Sequence, residues 1–389
     1  MHRSVYIRLR WQKAIILSIC ICLLLFLSAC QSITLPFIQN NSHPTPTPSS
    51  EPQQNPTAIT FPLPPQKTTP TVKPTPTHGT PTAGGTPAPA SSGRPVLAFY
   101  YMWYKPSTWC SCQMSDMPTI QYNSNDDSTI ARQVNEAANA GITGFIASWW
   151  GPGDNSDKNF IKLLAQSANL QRATGYHFAS SVYIENSAGA LNSTDKMINA
   201  LQYVISHYTD NPYYFHWRGK PVIFFTSPII GDGRSLSTWA DIRSQVDPDN
   251  QTIWSAEGVD VSVLSVFDGI HLFSAGYWGL LQGNMASVDQ EFRNKVDAYN
   301  YAHHTQKIWA AGVLPGYNDT RVPGRTGTYV VPRNNGGTYH TSWDAAMASD
   351  PEWITITTFN EWFEGAMIEP SVTYGNEYLN LTLQYARQW

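Results

Sequence analysis

Eight short runs of apolar, β-branched and aromatic residues punctuate the chain: VLAFYYMWY (96–104), ITGFIASWW (142–150), YHFASSVYIE (176–185), KPVIFFTSP (220–228), TIWSAEG (252–258), GIHLFSAGYW (269–278), KIWAAGVLPG (307–316) and WITITTFNEW (353–362). Stretches of helical period lie between several of them, among them STIARQVNEAANAG, NFIKLLAQSANLQRATG, STDKMINALQYVISHY and VDQEFRNKVDAYNYAHH. Continuously apolar strands alternating with helices predict a parallel sheet covered on both faces. Eight such strands in residues 94–389 predict an α/β fold consisting of a single (β/α)8 TIM barrel. A doubly wound open sheet is the alternative, and the missing glycine-rich loop after the first run disfavours its dinucleotide-binding form.

The pattern before Arg94 is different. His2, Arg3, Arg8, Arg10 and Lys13 precede an apolar run, Ala14 to Leu27, and Leu27-Ser28-Ala29-Cys30 resembles a bacterial lipobox. Residues 1–29 therefore read as a lipoprotein signal peptide, with Cys30 the lipidated residue. The alternative is an uncleaved N-terminal anchor, for which the run is short against the roughly 20 residues of a spanning helix. Either reading puts the remainder outside the cytoplasmic membrane of a bacterium and attaches it there. Residues 30–93 hold 15 of the 28 prolines with little apolar content. A disordered Pro/Thr-rich tether is expected, largely extended.

Composition narrows the chemistry. Aromatic and charged residues each make up 13% of the chain, which suits a large core and equally the stacking of sugar rings. Loss of residues 1–29 removes four cations and no acid, taking the formal charge from −4 to −8. With no basic cluster, nucleic acid is not an expected partner. Cys110 and Cys112 form either a local disulfide or two free thiols, and no further Cys or His stands at zinc-like spacing. No metal or cofactor is expected, and a monomer is the favoured state.

Barrel enzymes carry their active groups at the C-terminal ends of strands. Several runs end in suitable residues: Tyr101, Trp103 and Tyr104; Trp149 and Trp150; Glu185; Tyr277 and Trp278; Glu361 and Glu364. Glu361 and Glu364, three apart where the last run ends, can face one cavity, and glycoside hydrolysis needs two carboxyl groups beside the scissile bond. The other reading of such residues is a helix cap or an arginine partner, and Glu369, before Pro370, is assigned to it.

The stretch NEWFEGAMIEP (360–370) resembles the NEW-x-EG-x-x-(I/L)EP signature of glycoside hydrolase family 99 and its relatives, the endo-α-mannosidase type. The resemblance runs through VLAFYYMWY, GITGFIASWWGPG, VYIEN, KPVIFF, FDGIHLF and VLPGYNDTRV, covering 95–380. It implies a barrel that hydrolyses α-mannosides internally with retention. Glu364 matches the acid–base residue. Glu361 matches the carboxylate that deprotonates the sugar's own 2-hydroxyl to give a 1,2-anhydro intermediate. Asn360 within the motif, Trp149, Glu185, and Tyr317, Asp319 and Arg321 of GYNDTR match positions near the sugar. Their alternatives are a core aromatic for Trp149 and a loop-ordering pair for Asp319 and Arg321. Phe363 stands where the family's hydrolases usually have His, and Ala366-Met367 where they have Thr-Gln.

The expectation is a surface-tethered endo-acting hydrolase of an oligo- or polysaccharide, α-mannan foremost. The alternatives are a carbohydrate-binding lipoprotein without turnover and an enzyme of surface-polysaccharide assembly.

Overall fold

Side-chain alternation on the strands builds the molecule from the inside out. On the first strand, β1 (Val96–Tyr100), every residue is buried: Val96, Ala98 and Tyr100 pack outward, whereas Leu97 and Phe99 point into a second, interior cluster. The same period-two division recurs on β2 (Gly144–Trp149), β3 (Ser181–Ile184), β4 (Lys220–Phe225), β5 (Ile253–Glu257), β6 (Gly269–His271), β7 (Ile308–Val313) and β8 (Trp353–Ile356). Each strand pairs in parallel with its neighbours in sequence, and β8 pairs with β1, so the sheet closes into an eight-stranded barrel. Closure removes the strand edges that an open sheet would expose.

A computed structural model describes residues 93–389 apart from 227–232 and Gln282. The signal-like run, Cys30, the Pro/Thr-rich segment to residue 92 and the end of the fourth apolar run lie outside the described residues.

Among the described residues the covering layer consists of α1 (Asp127–Asn139), α2 (Asn155–Thr174), α3 (Thr194–Tyr208), α4 (Leu236–Val246), α5 (Met285–His303), α6 (Gly337–Ala348) and α7 (Glu377–Ala386). Their starts are chemically marked. Asp154, Ser193, Ser235 and Asn284 each accept a hydrogen bond from a first-turn backbone N–H of α2, α3, α4 and α5. On α1, Ile130, Val134, Ala137 and Ala138 repeat at helical spacing and are buried against the barrel. Between β5 and β6 the connection is only a 3₁₀ turn, Val261–Ser265.

The interior is filled rather than hollow. His271 of β6 lies among Phe99, Tyr183 and Phe224, hydrogen-bonds to Ser255, and burial pushes its pKa down to about 3. It is therefore a neutral core residue. The strands are shorter than the apolar runs. The run 269–278 becomes the three-residue β6 followed by a π-helical turn, Gly276–Leu281, which carries Tyr277 and Trp278. Cys110 and Cys112 are joined by a disulfide in the β1–α1 loop.

Candidate active site

Glu361 and Glu364 follow β8 on a tight turn at the C-terminal mouth of the barrel. The backbone N–H of Glu361 donates to Thr358 Oγ1 at 2.7 Å, and the Glu364 carbonyl accepts from the Asn318 N–H at 2.7 Å. Gly365 adopts φ +59°, and a Cβ there would lie 3.1 Å from the Asn318 carbonyl oxygen. The turn that presents Glu364 thus needs glycine next.

Glu361 is 3% exposed. Its Oε1 accepts from the Phe363 N–H at 3.1 Å and the Tyr104 hydroxyl at 3.4 Å. Its Oε2 is buried and has no hydrogen-bond partner among the described residues. Burial, and then the charge of Glu364, push the Glu361 carboxyl well above the usual range; Arg325 and the two hydrogen bonds pull the other way. Glu364 is half-buried, and its Oε1 accepts from Arg325 Nη1 at 2.8 Å.

Aromatic residues fix this turn. The Tyr104 hydroxyl accepts from the Trp362 N–H at 2.9 Å while its ring stacks on Trp109 and Phe363 at 4.9 and 5.7 Å. Tyr101 and Trp103 are in contact at 4.7 Å, and Trp103 meets Trp150 edge-on at 6.0 Å. From Trp150 a relay runs through Ser148: indole Nε1–H donates to Ser148 Oγ at 3.0 Å, and Ser148 donates to Glu185 Oε1 at 2.7 Å. Burial raises the Glu185 pKa to about 7; Ser148 opposes this, and Glu257 and Glu364 add to it. On the other side Tyr317 stacks on Tyr329 at 4.4 Å, and Tyr277 meets Tyr329 at 5.7 Å. Trp278 packs edge-on against Tyr277.

Three of the residues expected near sugar occupy other places. Trp149 is fully buried on the helical side of β2, where its Nε1 donates to Asp157 at 3.2 Å and its ring faces Tyr203 of α3. Strand alternation explains this, since Ser148 and Trp149 must take opposite faces. Asn360 is fully buried and exchanges two 2.8 Å hydrogen bonds with the backbone of Tyr101. It splices the end of β8 to that of β1. Arg321 reaches the carbonyls of Ser111 and Met114 at 2.9 and 3.1 Å, clamping the β1–α1 loop. Asp319 pairs instead with Arg325, at 3.2 Å.

Two charged residues of the mouth were not among those expected. Arg325 is one. The other is Glu257 at the end of β5, within 3.4 Å of both the Tyr183 hydroxyl and Ser274 Oγ. It closes the apolar run TIWSAE, so the strand-end rule that selected Glu185 applies to it equally.

The glycosyl hydrolase family 99 profile matches residues 110–386. The mouse glycoprotein endo-alpha-1,2-mannosidase-like protein is 25% identical over 287 residues, 69% of this chain and 62% of that protein. The rat glycoprotein endo-alpha-1,2-mannosidase is 25% identical over 296 residues, 69% of this chain and 61% of that one. The chain thus spans about three-fifths of the length of these curated relatives. Among solved structures, the GH99 endo-alpha-mannosidase from Bacteroides thetaiotaomicron, in complex with bis-tris-propane, superposes with a TM-score of 0.63 at 23% identity. That match covers 75% of this chain and 96% of that one. With a match spanning most of the closed barrel and the whole β8 turn, the chain belongs to glycosyl hydrolase family 99.

Proposed function

We propose that this protein is a retaining endo-α-mannosidase that works through a 1,2-anhydro sugar, tethered outside the cell by a lipid on Cys30. The observation that carries the chemistry is the Glu361 carboxyl: dry, next to a second carboxyl, and with Oε2 unpartnered at the barrel mouth. A buried unpartnered oxygen is costly unless a ligand group completes it. A sugar hydroxyl is such a group.

In the proposed reaction Glu361 takes the proton from the 2-hydroxyl as O2 bonds to C1. The C1–O bond to the leaving sugar breaks, and Glu364 protonates the departing oxygen. In an α-mannoside O2 and the leaving group are both axial and anti, so O2 is aligned for backside displacement without ring distortion. Water then adds to C1, giving a proton to Glu364, while the C1–O2 bond breaks and O2 recovers its proton from Glu361. Two inversions at C1 leave net retention. Tyr101, Trp103, Trp150 and Glu185 line one side of this cleft, and Tyr277 and Tyr317 the other. The relatives' names support α-mannosides as the substrate class.

The test is Glu364→Gln on a panel of α-mannans, with product configuration followed by NMR. Hydrolysis should fall by about 10²–10⁴-fold with binding retained. Unchanged hydrolysis by the variant would take Glu364 out of the chemistry, and a wild-type protein that binds glycans and cleaves none would leave the carbohydrate-binding reading. Transfer to a glycan acceptor in preference to water would favour polysaccharide assembly.

A further inference from the structure

Two carboxyl groups on one partly buried turn resist carrying charge together, and a cation within reach decides which of them does. Among the described residues, Arg325 of the β7–α6 loop is the cation paired with either of them. Its Nη1 donates to Glu364 Oε1 at 2.8 Å, to Asp319 Oδ2 at 3.2 Å and to the Tyr317 hydroxyl at 3.0 Å. Those anchors are themselves fixed. Asp319 Oδ1 accepts from the Tyr329 N–H at 2.8 Å, and Tyr317–Asn318 pairs antiparallel with Val330–Val331. Gly324 and Gly327, at φ +72° and +71°, fold the loop so that Arg325 returns to the mouth.

We propose that Arg325 is the positioning residue of the catalytic pair: from the Asp319–Tyr317 bracket it holds Glu364 in place and supplies the positive charge that lets Glu361 serve as a base. This rests on the hydrolytic reading above. The shared nitrogen matters, because Glu364 must be protonated to act as an acid. Asp319 then keeps the guanidinium paired and in position while Glu364 carries its proton.

The groups facing Glu361 are Tyr101 and Tyr104 beyond β1, Glu364 on its own turn, and Arg325. Farther along the mouth, burial and then the charges of Glu257 and Glu364 raise the Glu185 carboxyl, against the hydrogen bond from Ser148. Removing the one positive charge in this set disfavours ionised Glu361, so the base appears only at higher pH.

The full-length protein and its R325Q, R325K and D319N variants test this through pH profiles of kcat/KM on α-mannan. Carboxyl-¹³C NMR titration of Glu361, assigned with E361Q, supplies a readout that needs no turnover. R325Q should move the Glu361 titration and the acid limb upward by about one pH unit, with kcat lost more than KM changes. R325K should restore most of the shift. D319N, which leaves more of the guanidinium's field to the pair, should move both downward, and it carries the test if R325Q does not fold. A Glu361 titration unmoved in these variants overturns the proposal. Absence of any wild-type hydrolysis overturns the hydrolytic reading instead, and the NMR titration still decides the role of Arg325.

Discussion

Glu369 shows how a carboxylate in the same motif can belong to the scaffold. Its Oε1 accepts from Arg132 at 3.2 Å and Gln133 at 2.8 Å, and its Oε2 from the Tyr122 hydroxyl and Trp362 Nε1, each at 2.9 Å. Burial pushes its pKa up, and these four donors counter that. Because all four are donors, only an acceptor on both oxygens fits. Glu369→Gln turns an NH₂ toward two of them, and Glu369→Ala strands all four. Either change should destabilise by on the order of 3 kcal/mol, lowering the thermal midpoint by roughly 5–10 °C, while kcat per folded molecule is largely kept. A midpoint that stays put while activity disappears would move Glu369 into the chemistry. Separating Glu369 from Glu361 and Glu364 was possible in the sequence because only the latter two stand at a strand end. Arg325 was not legible. Its anchor Asp319 lies six residues away and Glu364 thirty-nine, whereas Arg321 sits closer to Asp319 in the sequence and reads as the natural partner.

At the scale of elements, the eight apolar runs marked the strands well because a strand buried on both faces tolerates little else. What they marked poorly was where pairing stops. Tyr277 and Trp278 continue the apolar pattern of β6, yet they pack from a π-helical turn once the ladder has ended. Helix α5 carries a different conflict. Asp289 is fully buried, neither carboxylate oxygen has a hydrogen-bond partner among the described residues, and burial raises its pKa to about 8. A raised carboxyl favours the fold while it is protonated. That contribution is complete below the ordinary aspartate range and is lost as pH climbs through about 8. Asp289→Asn removes the titration and keeps the size. Its thermal midpoint should gain on that of the wild type from about pH 5 upward and level off above the folded-state pKa. A constant offset across that range would mean that Asp289 is ionised and satisfied in the fold.

For the whole molecule, the proposed tether and the barrel have separable jobs. All the groups assigned to chemistry lie between β1 and the β8 turn, within residues 93–389, so catalytic constants on a soluble oligosaccharide should not depend on what precedes them. Attachment should depend on one atom, the Cys30 thiol. A single Cys30→Ser change should abolish incorporation of labelled fatty acid and move the protein from the membrane to the soluble fraction, with kcat/KM on a soluble mannoside within about twofold of wild type. The alternative anchor makes the opposite prediction. If the apolar run Ala14 to Leu27 remained in place as a membrane segment, the serine variant would still sediment with membranes and carry its basic N-terminus uncleaved. Fractionation and N-terminal sequencing of the same two proteins therefore decide between a lipid and a peptide anchor, independently of which glycan the barrel cleaves.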